Sequence, residues 1–173
     1  MSETQVRARA PFITANGQLA LLVALAAVAL DQLSKFWILY GLNLPEKFTV
    51  PVLPPLLRFT MVWNPGVTFG MFRADNPISR AAISLVALAV IIALAGWART
   101  AERRLTGVAL GLIMGGAIGN NLLDRVRMGH VADFIDATGI GFFPWVFNVA
   151  DILIDLGIGL LVIDLLRPTP KPE

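Results

Sequence analysis

Four apolar stretches, each about as long as a membrane-spanning helix, restrict the folds open to this sequence. They lie at about 17–40, 80–98, 105–123 and 146–166. A helix needs roughly 20 mostly apolar residues to cross the hydrocarbon core of a bilayer. Charged residues make up only 15% of the 173 positions, whereas soluble domains average about 25%. The sequence therefore predicts an all-α membrane protein with four transmembrane helices in one domain, residues 1–173.

Basic residues are concentrated in three of the segments that flank these stretches. The N-terminal tail, the 99–104 connection and the C-terminal tail contain Arg7, Arg9, Arg99, Arg103, Arg104, Arg167 and Lys171. The positive-inside rule assigns such short basic segments to the cytoplasmic side. We therefore expect both termini inside and the loops at about 41–79 and 124–145 outside, where Trp63 and Trp145 suit a membrane interface.

The first apolar stretch also fits a second interpretation, a cleaved signal peptide over residues 1–29. Arg7 and Arg9 precede an apolar core, and the triplet AVA at 27–29 resembles a cleavage site. However, apolar residues continue to position 40, which gives a length nearer to a span than to a signal core of roughly 7–15 residues. The loop charges do not choose between the two, because cleavage would leave the other three helices in the same orientation.

The first outer loop contains two short β-forming segments, at 48–50 and 59–63, among several prolines. Aromatic and β-branched residues favour strands, and proline interrupts them. The loop therefore predicts a small, irregular, outward-facing β-like subdomain at the membrane interface.

Glycine recurs every four residues in the third apolar stretch, at Gly107, Gly111, Gly115 and Gly119. Residues four apart share one face of a helix, so this face has no side chains. Small residues let another helix approach closely. We expect these glycines to be a packing surface.

Charged residues interrupt the first apolar stretch at Asp31 and Lys35. A charge inside a span costs about 2.5–3.5 kcal/mol on insertion scales, so each charge needs a partner or a function. Asp31 and Lys35 are four residues apart on one helical face and can form an ion pair. That pair either orients the helix or takes a direct part in function, and the spacing does not decide between these.

A second polar cluster closes the third apolar stretch: Asn120, Asn121, Asp124 and Arg125. Asn121 and Arg125 share a helical face at a spacing of four. The Arg125 guanidinium could bind an anionic or carbonyl-rich ligand.

Aspartates recur around the start of the fourth apolar stretch. Asn148, Asp151 and Asp155 fall at i, i+3 and i+7, which forms one stripe on a helix. Asp133 precedes them in the 129–136 loop, where apolar neighbours indicate that it dips into the interface. Such a stripe in an apolar helix indicates a site.

Elimination narrows the chemistry that this outer side could perform. The chain has no cysteine, and its only histidine is His130. A zinc site or a serine–histidine–aspartate triad therefore lacks residues, and we expect neither a metal nor a cofactor. The basic residues are scattered, so we expect no nucleic-acid partner. Two aspartates held close together remain, because one can keep a proton while the other activates water.

Five segments follow the order and spacing of a known family: DQLSK at 31–35, WNPGVTFG at 63–70, GGAIGNNLLDR at 115–125, GHVADFID at 129–136 and FNVAD at 147–151. Together they resemble the lipoprotein signal peptidases of bacteria, also called signal peptidase II. The resemblance covers nearly the whole chain, and five such blocks are far more specific than one.

The resemblance implies roles for named residues. The family's catalytic aspartates fall on Asp133 and Asp151. Its other recurrent polar or site-supporting positions fall on Asp31, Lys35, Asn64, Gly66, Asn121, Asp124, Arg125 and Asn148. The chain departs from the family pattern at Asn120, where a glycine is usual, and at Asp155, where a small or neutral residue is usual.

The resemblance also implies an activity and a location. We expect a monomeric intramembrane aspartic endopeptidase of the bacterial inner membrane, with its active site toward the outer face. Its partners would be membrane lipid and a prolipoprotein, cleaved just before a cysteine that bears diacylglycerol. The alternative is a small proton-coupled transporter, because membrane carboxylates also relay protons. A transporter often has repeated halves and polar groups on both sides of the midplane, whereas here these groups concentrate toward the outer ends.

Overall fold

The computed structural model describes residues 12–66, 76–141 and 144–168. Its helices are α1 (Ala15–Phe36), α2 (Leu44–Lys47), α3 (Pro77–Arg99), α4 (Arg104–Ala117), α5 (Arg125–Met128) and α6 (Val149–Leu165). Its strands are β1 (Thr49–Leu53), β2 (Leu57–Asn64), β3 (Val131–Asp136) and β4 (Val146–Phe147). Two π-helical segments continue α1 and α4, at Trp37–Gly41 and Ile118–Asp124. Arg7, Arg9, Lys171 and residues 67–70 of the WNPGVTFG motif lie outside the described residues.

Within these described ranges, three helices are long and apolar enough to span a membrane: Ala15–Gly41, Pro77–Arg99 and Arg104–Met128. The α6 helix has 17 residues, which gives about 26 Å at 1.5 Å per residue. That is slightly short of a roughly 30 Å hydrocarbon core, and the helix contains three aspartates. The fourth span therefore stays a prediction.

The helix of the third predicted span, which begins with α4, extends beyond the expected end at residue 123. It continues through the π-helical segment and α5 as far as Met128. Asp124 and Arg125 are buried in this extension, where the outer loop was expected to begin. The loop starts instead at Gly129, whose positive φ of 77° ends the helix.

The α4 helix lies at the centre of the bundle, in contact with α1, α3 and α6. Its glycine face packs against α1. A Cβ atom at Gly111 would lie 2.5 Å from the carbonyl oxygen of Ala20, and one at Gly115 would lie 2.7 Å from that of Ala24. The predicted packing role of these glycines is confirmed.

A second close approach joins α4 to α6. A Cβ atom at Gly116 would lie 2.6 Å from the carbonyl oxygen of Ala150 and 2.7 Å from Cγ1 of Ile154. A Cβ atom at Gly157 would lie 2.8 Å from the carbonyl oxygen of Ala109. The first turn of α6 is thereby held directly against the C-terminal part of α4.

Polar contacts hold the helix ends that lie opposite the sheet. The Thr14 hydroxyl donates to the carbonyl oxygen of Ala101 at 2.8 Å. Asp164, in the last turn of α6, is buried. Its backbone carbonyl accepts from Arg103 at 2.8 Å, and its carboxylate accepts from the Thr106 hydroxyl. The N-terminus of α4 is therefore tied to the C-terminus of α6.

The sheet is larger than predicted, because both outer loops contribute to it. Its four strands are antiparallel in the order β1-β2-β3-β4. The first loop supplies β1 and β2 as expected, but β3 comes from the second loop. Residues 146 and 147, assigned from the sequence to the fourth span, form β4. The prediction that the β element is confined to the first outer loop is therefore wrong.

An apolar cluster anchors the sheet on the end of the first helix. Ile38, Leu44 and Phe134 are its buried members. Phe134 lies on β3, so this side chain fixes the strand that carries Asp133. The sheet's position relative to the bundle is thus set by hydrophobic burial.

Candidate active site

Asp133 lies in the middle of β3, a strand whose side chains are nearly all buried. In the ladder with β2 it pairs with Val62. Asn64, two residues further along β2, lies on the same face of the sheet. Its Nδ2 atom donates to Oδ2 of Asp133 at 2.9 Å. The register of the sheet therefore positions one carboxylate oxygen.

Asp151 lies in the first turn of α6 and forms a capping box with Asn148. The side-chain oxygen of Asn148 accepts from the Asp151 N–H at 3.1 Å, and Oδ2 of Asp151 accepts from the Asn148 N–H at 3.0 Å. These bonds satisfy two of the free N–H groups at a helix start. Asn148 is consequently the cap before the helix and not part of the span in which it was predicted.

Asn148 also connects the two aspartates. Its side chain is completely buried, and its Nδ2 atom donates to Oδ1 of Asp133 at 2.6 Å. One residue thus binds Asp133 through its amide nitrogen and Asp151 through its amide oxygen and backbone. The two aspartates, which lie 18 positions apart in the sequence, belong to one hydrogen-bonded unit.

Burial, together with the negative charge of Asp151, raises the pKa of Asp133 to about 7. Desolvation is the larger cause, because it penalises the charged carboxylate. The hydrogen bonds from Asn64 and Asn148 oppose the shift without cancelling it. Near neutral pH, Asp133 can therefore carry a proton.

Lys35 forms a charged cluster behind the aspartate pair. It is 2% exposed, and its Nζ atom lies 2.9 Å from Oδ2 of Asp31 and 2.7 Å from Oδ2 of Asp124. The predicted ion pair of Asp31 with Lys35 is therefore present. Gln32, which the sequence interpretation missed, donates from Nε2 to both carboxylates at 3.0 Å.

The cluster is joined to the backbone next to each aspartate of the pair. Oδ1 of Asp31 accepts from the N–H of Ala150 at 3.1 Å. Oδ2 of Asp124 accepts from the N–H of Ala132 at 3.3 Å. Ala150 directly precedes Asp151, and Ala132 directly precedes Asp133. These contacts favour a supporting role for Asp31, Lys35 and Asp124.

Asn120 contacts the pair, whereas the neighbouring Asn121 does not. Nδ2 of Asn120 donates to Oδ1 of Asp151 at 2.9 Å, and its Oδ1 atom accepts from Lys35 at 2.7 Å. Asn121 instead donates to the carbonyl of Ala117. Sequence reasoning selected Asn121 from the family resemblance and from its spacing of four to Arg125, and both Asn120 and Asn121 lie in a π-helical segment. The departure from the family's usual glycine was the available signal for Asn120.

Arg125 binds backbone carbonyls of the chain itself. It is 5% exposed, and it donates to the carbonyl oxygens of Pro65 and Gly66 and, at 3.3 Å, to Oδ1 of Asn121. Gly66 in turn donates its N–H to Oδ1 of Asn64 at 2.9 Å. Arg125 therefore binds carbonyl groups, as expected, and these belong to the segment that carries Asn64.

Two further aspartates lie outside the pair. Asp136 is buried on the opposite face of β3 and accepts from Arg58 at 2.6 Å and from Thr60 at 2.8 Å. Burial raises its pKa, but the hydrogen bonds from Thr138, Arg58 and Thr60 outweigh that effect and hold the pKa below its usual range. Asp155 is exposed one turn beyond Asp151.

No group of three or more His, Asp or Glu side chains in the described part of the chain is arranged to hold a metal ion. His130 lies in the loop before β3, with its Nδ1 atom 3.3 Å from the carbonyl oxygen of Met128. The site is therefore built from carboxyl and amide groups. Two carboxyl groups of unequal proton affinity can act as an acid and a base toward a water molecule.

Comparisons with known proteins identify the family of this chain. The family model of signal peptidase (SPase) II matches residues 23–167. The chain is 46% identical to the lipoprotein signal peptidase of Caulobacter vibrioides, over 88% of this chain and 89% of the relative. It is 43% identical to the lipoprotein signal peptidase of Methylorubrum extorquens, over 87% of each.

Two solved structures of bacterial membrane enzymes have the same fold. One superposes with a TM-score of 0.76 at 27% identity and covers 90% of this chain and 94% of its own. The other has a TM-score of 0.74 at 27% identity and covers 92% and 100%. Together with the sequence matches, this likeness shows that the chain belongs to the signal peptidase II family.

Proposed function

We propose that this protein removes signal peptides from prolipoproteins as an intramembrane aspartic endopeptidase, with Asp133 and Asp151 as its catalytic residues. Its relatives are named lipoprotein signal peptidases, which supports the substrate class. The observation that carries the aspartic mechanism is Asn148, because its side-chain amide donates to the Asp133 carboxylate and its backbone N–H donates to the Asp151 carboxylate.

The two aspartates have separate tasks in this mechanism. Asp151, ionised, takes a proton from a water molecule that attacks the scissile carbonyl carbon. Asp133, whose pKa is raised to about 7, donates a hydrogen bond to the carbonyl oxygen. The tetrahedral intermediate then collapses, the C–N bond breaks, and the proton passes to the leaving amide nitrogen. Both carboxyl groups end the cycle in their original states.

The remaining polar residues support this pair. Asn64 and Asn148 orient Asp133. Lys35, Asp31 and Asp124 fix the backbone on either side, so that the carboxyl groups keep their geometry without reorganising during the reaction. Arg125 and Gly66 hold the segment beside Asn64, and Asn121 supports the Arg125 guanidinium.

The substrate reaches the site from lipid. We propose that a prolipoprotein with diacylglycerol on its cysteine presents its signal helix and acyl chains laterally, and that cleavage occurs just before that cysteine. The acyl chains supply apolar burial that positions the scissile bond. The exposed apolar side chains on the outer faces of α1 and α3 are compatible with surrounding lipid.

We propose four spans, with the site on the outer face of the bacterial inner membrane. The basic connection at Arg99, Arg103 and Arg104 then lies in the cytoplasm with both termini, and the sheet lies at the opposite ends of the helices. We propose a monomer, because one chain supplies both aspartates and all the groups that hold them. A proton-coupled transporter finds no support in the family match.

Purified protein incubated with a lipidated precursor tests this function. We expect release of the signal peptide, at a rate unchanged by a metal chelator. The same precursor without diacylglycerol is expected to be cleaved at least tenfold more slowly, because binding energy from the acyl chains is missing. Loss of cleavage that added zinc restores would contradict the aspartic mechanism, and equal rates on both precursors would contradict the lipid requirement.

A further inference from the structure

Asn120 links the buried cation of the site to one catalytic carboxylate. Its Oδ1 atom accepts from Lys35 Nζ at 2.7 Å, and its Nδ2 atom donates to Oδ1 of Asp151 at 2.9 Å. Asn120 and Lys35 are both buried. The link therefore operates where water competes little and electrostatic interactions are strong.

The direction of this link follows from the chemistry of the groups. A lysine ammonium only donates hydrogen bonds, so it must face the carbonyl oxygen of an amide. The amide nitrogen of Asn120 must then point the other way, toward Asp151. Lys35 itself is held between Asp31 and Asp124, so this orientation cannot reverse without breaking the cluster.

Both oxygens of Asp151 consequently receive N–H groups, Oδ1 from Asn120 and Oδ2 from the backbone of Asn148. Donors of this kind favour the ionised form of a carboxyl group. The π-helical segment makes the contact possible, because it presents Asn120 to α6 while Asn121 faces Arg125. Such segments often occur at functional sites.

Other charges also act on Asp151, and Asn120 operates among them. Lys35 and Asp31 on α1, Asp133 on β3 and Asp155 on α6 interact with Asp151. Next to them, Asp124 of the π-helical segment contacts Lys35, and Arg125 of α5 interacts with Asp133. Carboxylates outnumber cations in this set. A neutral donor that carries the polarisation of Lys35 to Asp151 therefore offsets repulsion that would otherwise favour a protonated Asp151.

We propose that Asn120 is a positioning residue that transmits the charge of Lys35 to Asp151 and keeps Asp151 ionised as the base of the reaction. This inference rests on the proposed aspartic mechanism. It assigns unequal roles to the two carboxyl groups, and it gives a function to the residue that stands where the family usually has glycine.

The test is the pH profile of kcat/KM on lipidated precursor, measured for wild type and Asn120→Ala. Loss of the amide removes one hydrogen-bond donor from Asp151, so the midpoint of the acidic limb should move upward by about one pH unit. Below that midpoint, kcat/KM should be roughly tenfold lower than in wild type. KM at the optimum should change little. Asn120→Gly lacks the same amide and should give the same shift, so a poorly folded alanine variant leaves the test intact.

Asn121→Ala is the matched control. It lies in the same π-helical segment, but its amide contacts Ala117 and Arg125. The substitution is free to change kcat/KM, but the midpoint of the acidic limb should stay at the wild-type value. An unmoved midpoint in both Asn120 variants, or an equal shift in Asn121→Ala, would overturn the inference while leaving the mechanism standing. Retained cleavage by Asp133→Asn or Asp151→Asn would instead overturn the mechanism itself.

Discussion

At the scale of single residues, aspartates of similar sequence context have opposite properties. Asp133 and Asp136 lie three residues apart on β3, yet the pKa of Asp133 is raised to about 7 and that of Asp136 is lowered. Asp133 has a carboxylate neighbour and amide donors. Asp136 has a guanidinium and hydroxyl donors. Burial raises the pKa of both carboxyl groups, and only at Asp136 do the hydrogen-bond donors outweigh that effect.

Asp136→Asn is expected to destabilise the protein, because an amide nitrogen would face the donors of Thr60 and Arg58. Turnover per folded molecule should stay near normal, because Asp136 lies outside the aspartate pair. We expect a loss of about 1–3 kcal/mol in the free energy of unfolding, with a small share from Arg58, whose side chain is 51% exposed. Thermal unfolding in detergent measures this loss.

The loss should depend on pH in a defined direction. Because the folded pKa of Asp136 is depressed, its stabilisation is present above the unfolded pKa of about 3.9 and disappears as the pH falls below it. The difference between variant and wild type should therefore shrink below about pH 4. Glu46→Gln removes the same charge from an exposed side chain and serves as control. Equal melting temperatures for Asp136→Asn and wild type at neutral pH would contradict the assignment.

Sequence reasoning at this scale depended on residue type and on the family resemblance. Charged groups in apolar surroundings need partners, which predicted the pair of Asp31 with Lys35, whereas the resemblance selected Asp133, Asp151 and Asn148. Asn120 was included in a polar cluster without a role, and Gln32 was missed. An amide side chain costs less in lipid than a charge, and a π-helical segment shifts the helical phase in a way that spacing does not reveal.

At the scale of elements, the helices were predictable and the sheet only in part. Apolar length located the helices within a few residues. Strand β3 was not predicted because Val131–Asp136 is nearly all buried and lacks an alternating pattern. Strand β4 was not predicted because it has only two residues and adjoins an apolar helix. Pairing between distant loops depends on tertiary structure, which local pattern does not contain.

The contact of α4 with α6 is expected to be the packing element on which the site depends most. Gly116→Ala would force a Cβ atom against the Ala150 carbonyl and Ile154, and the first turn of α6 would shift together with Asp151. We expect a lower melting temperature and at least a tenfold loss of kcat, because small displacements of catalytic groups are costly.

Gly159→Ala provides the matched control on α6. A Cβ atom there meets nothing within 4 Å, so the variant should retain activity and gain up to about 1 kcal/mol, as for glycine replaced by alanine in a helix. Melting temperature and kcat are compared for both variants. Equal behaviour of the two would contradict the view that backbone approach at Gly116 positions the site.

At the scale of the whole molecule, the open question is how many times the chain crosses the membrane. The chain has no cysteine, so single cysteines can be introduced without background. With four spans, Glu102→Cys and Arg167→Cys should react with an impermeant thiol reagent only in inverted membranes, and Ile140→Cys only from outside. Three spans would place positions 102 and 167 on opposite sides, and that labelling pattern would contradict the fourth span.

The most direct test of the account is cleavage of lipidated precursor by Asp133→Asn and Asp151→Asn. Asparagine keeps the size of aspartate but cannot exchange the required proton, so each variant should lose at least 10³-fold in kcat, of the order seen when acid–base groups are removed, while inserting and binding substrate normally. Asp155→Asn, an exposed aspartate one turn further along α6, should keep cleavage and change chiefly its pH optimum. Near-normal turnover by either Asp133→Asn or Asp151→Asn would contradict the proposed pair.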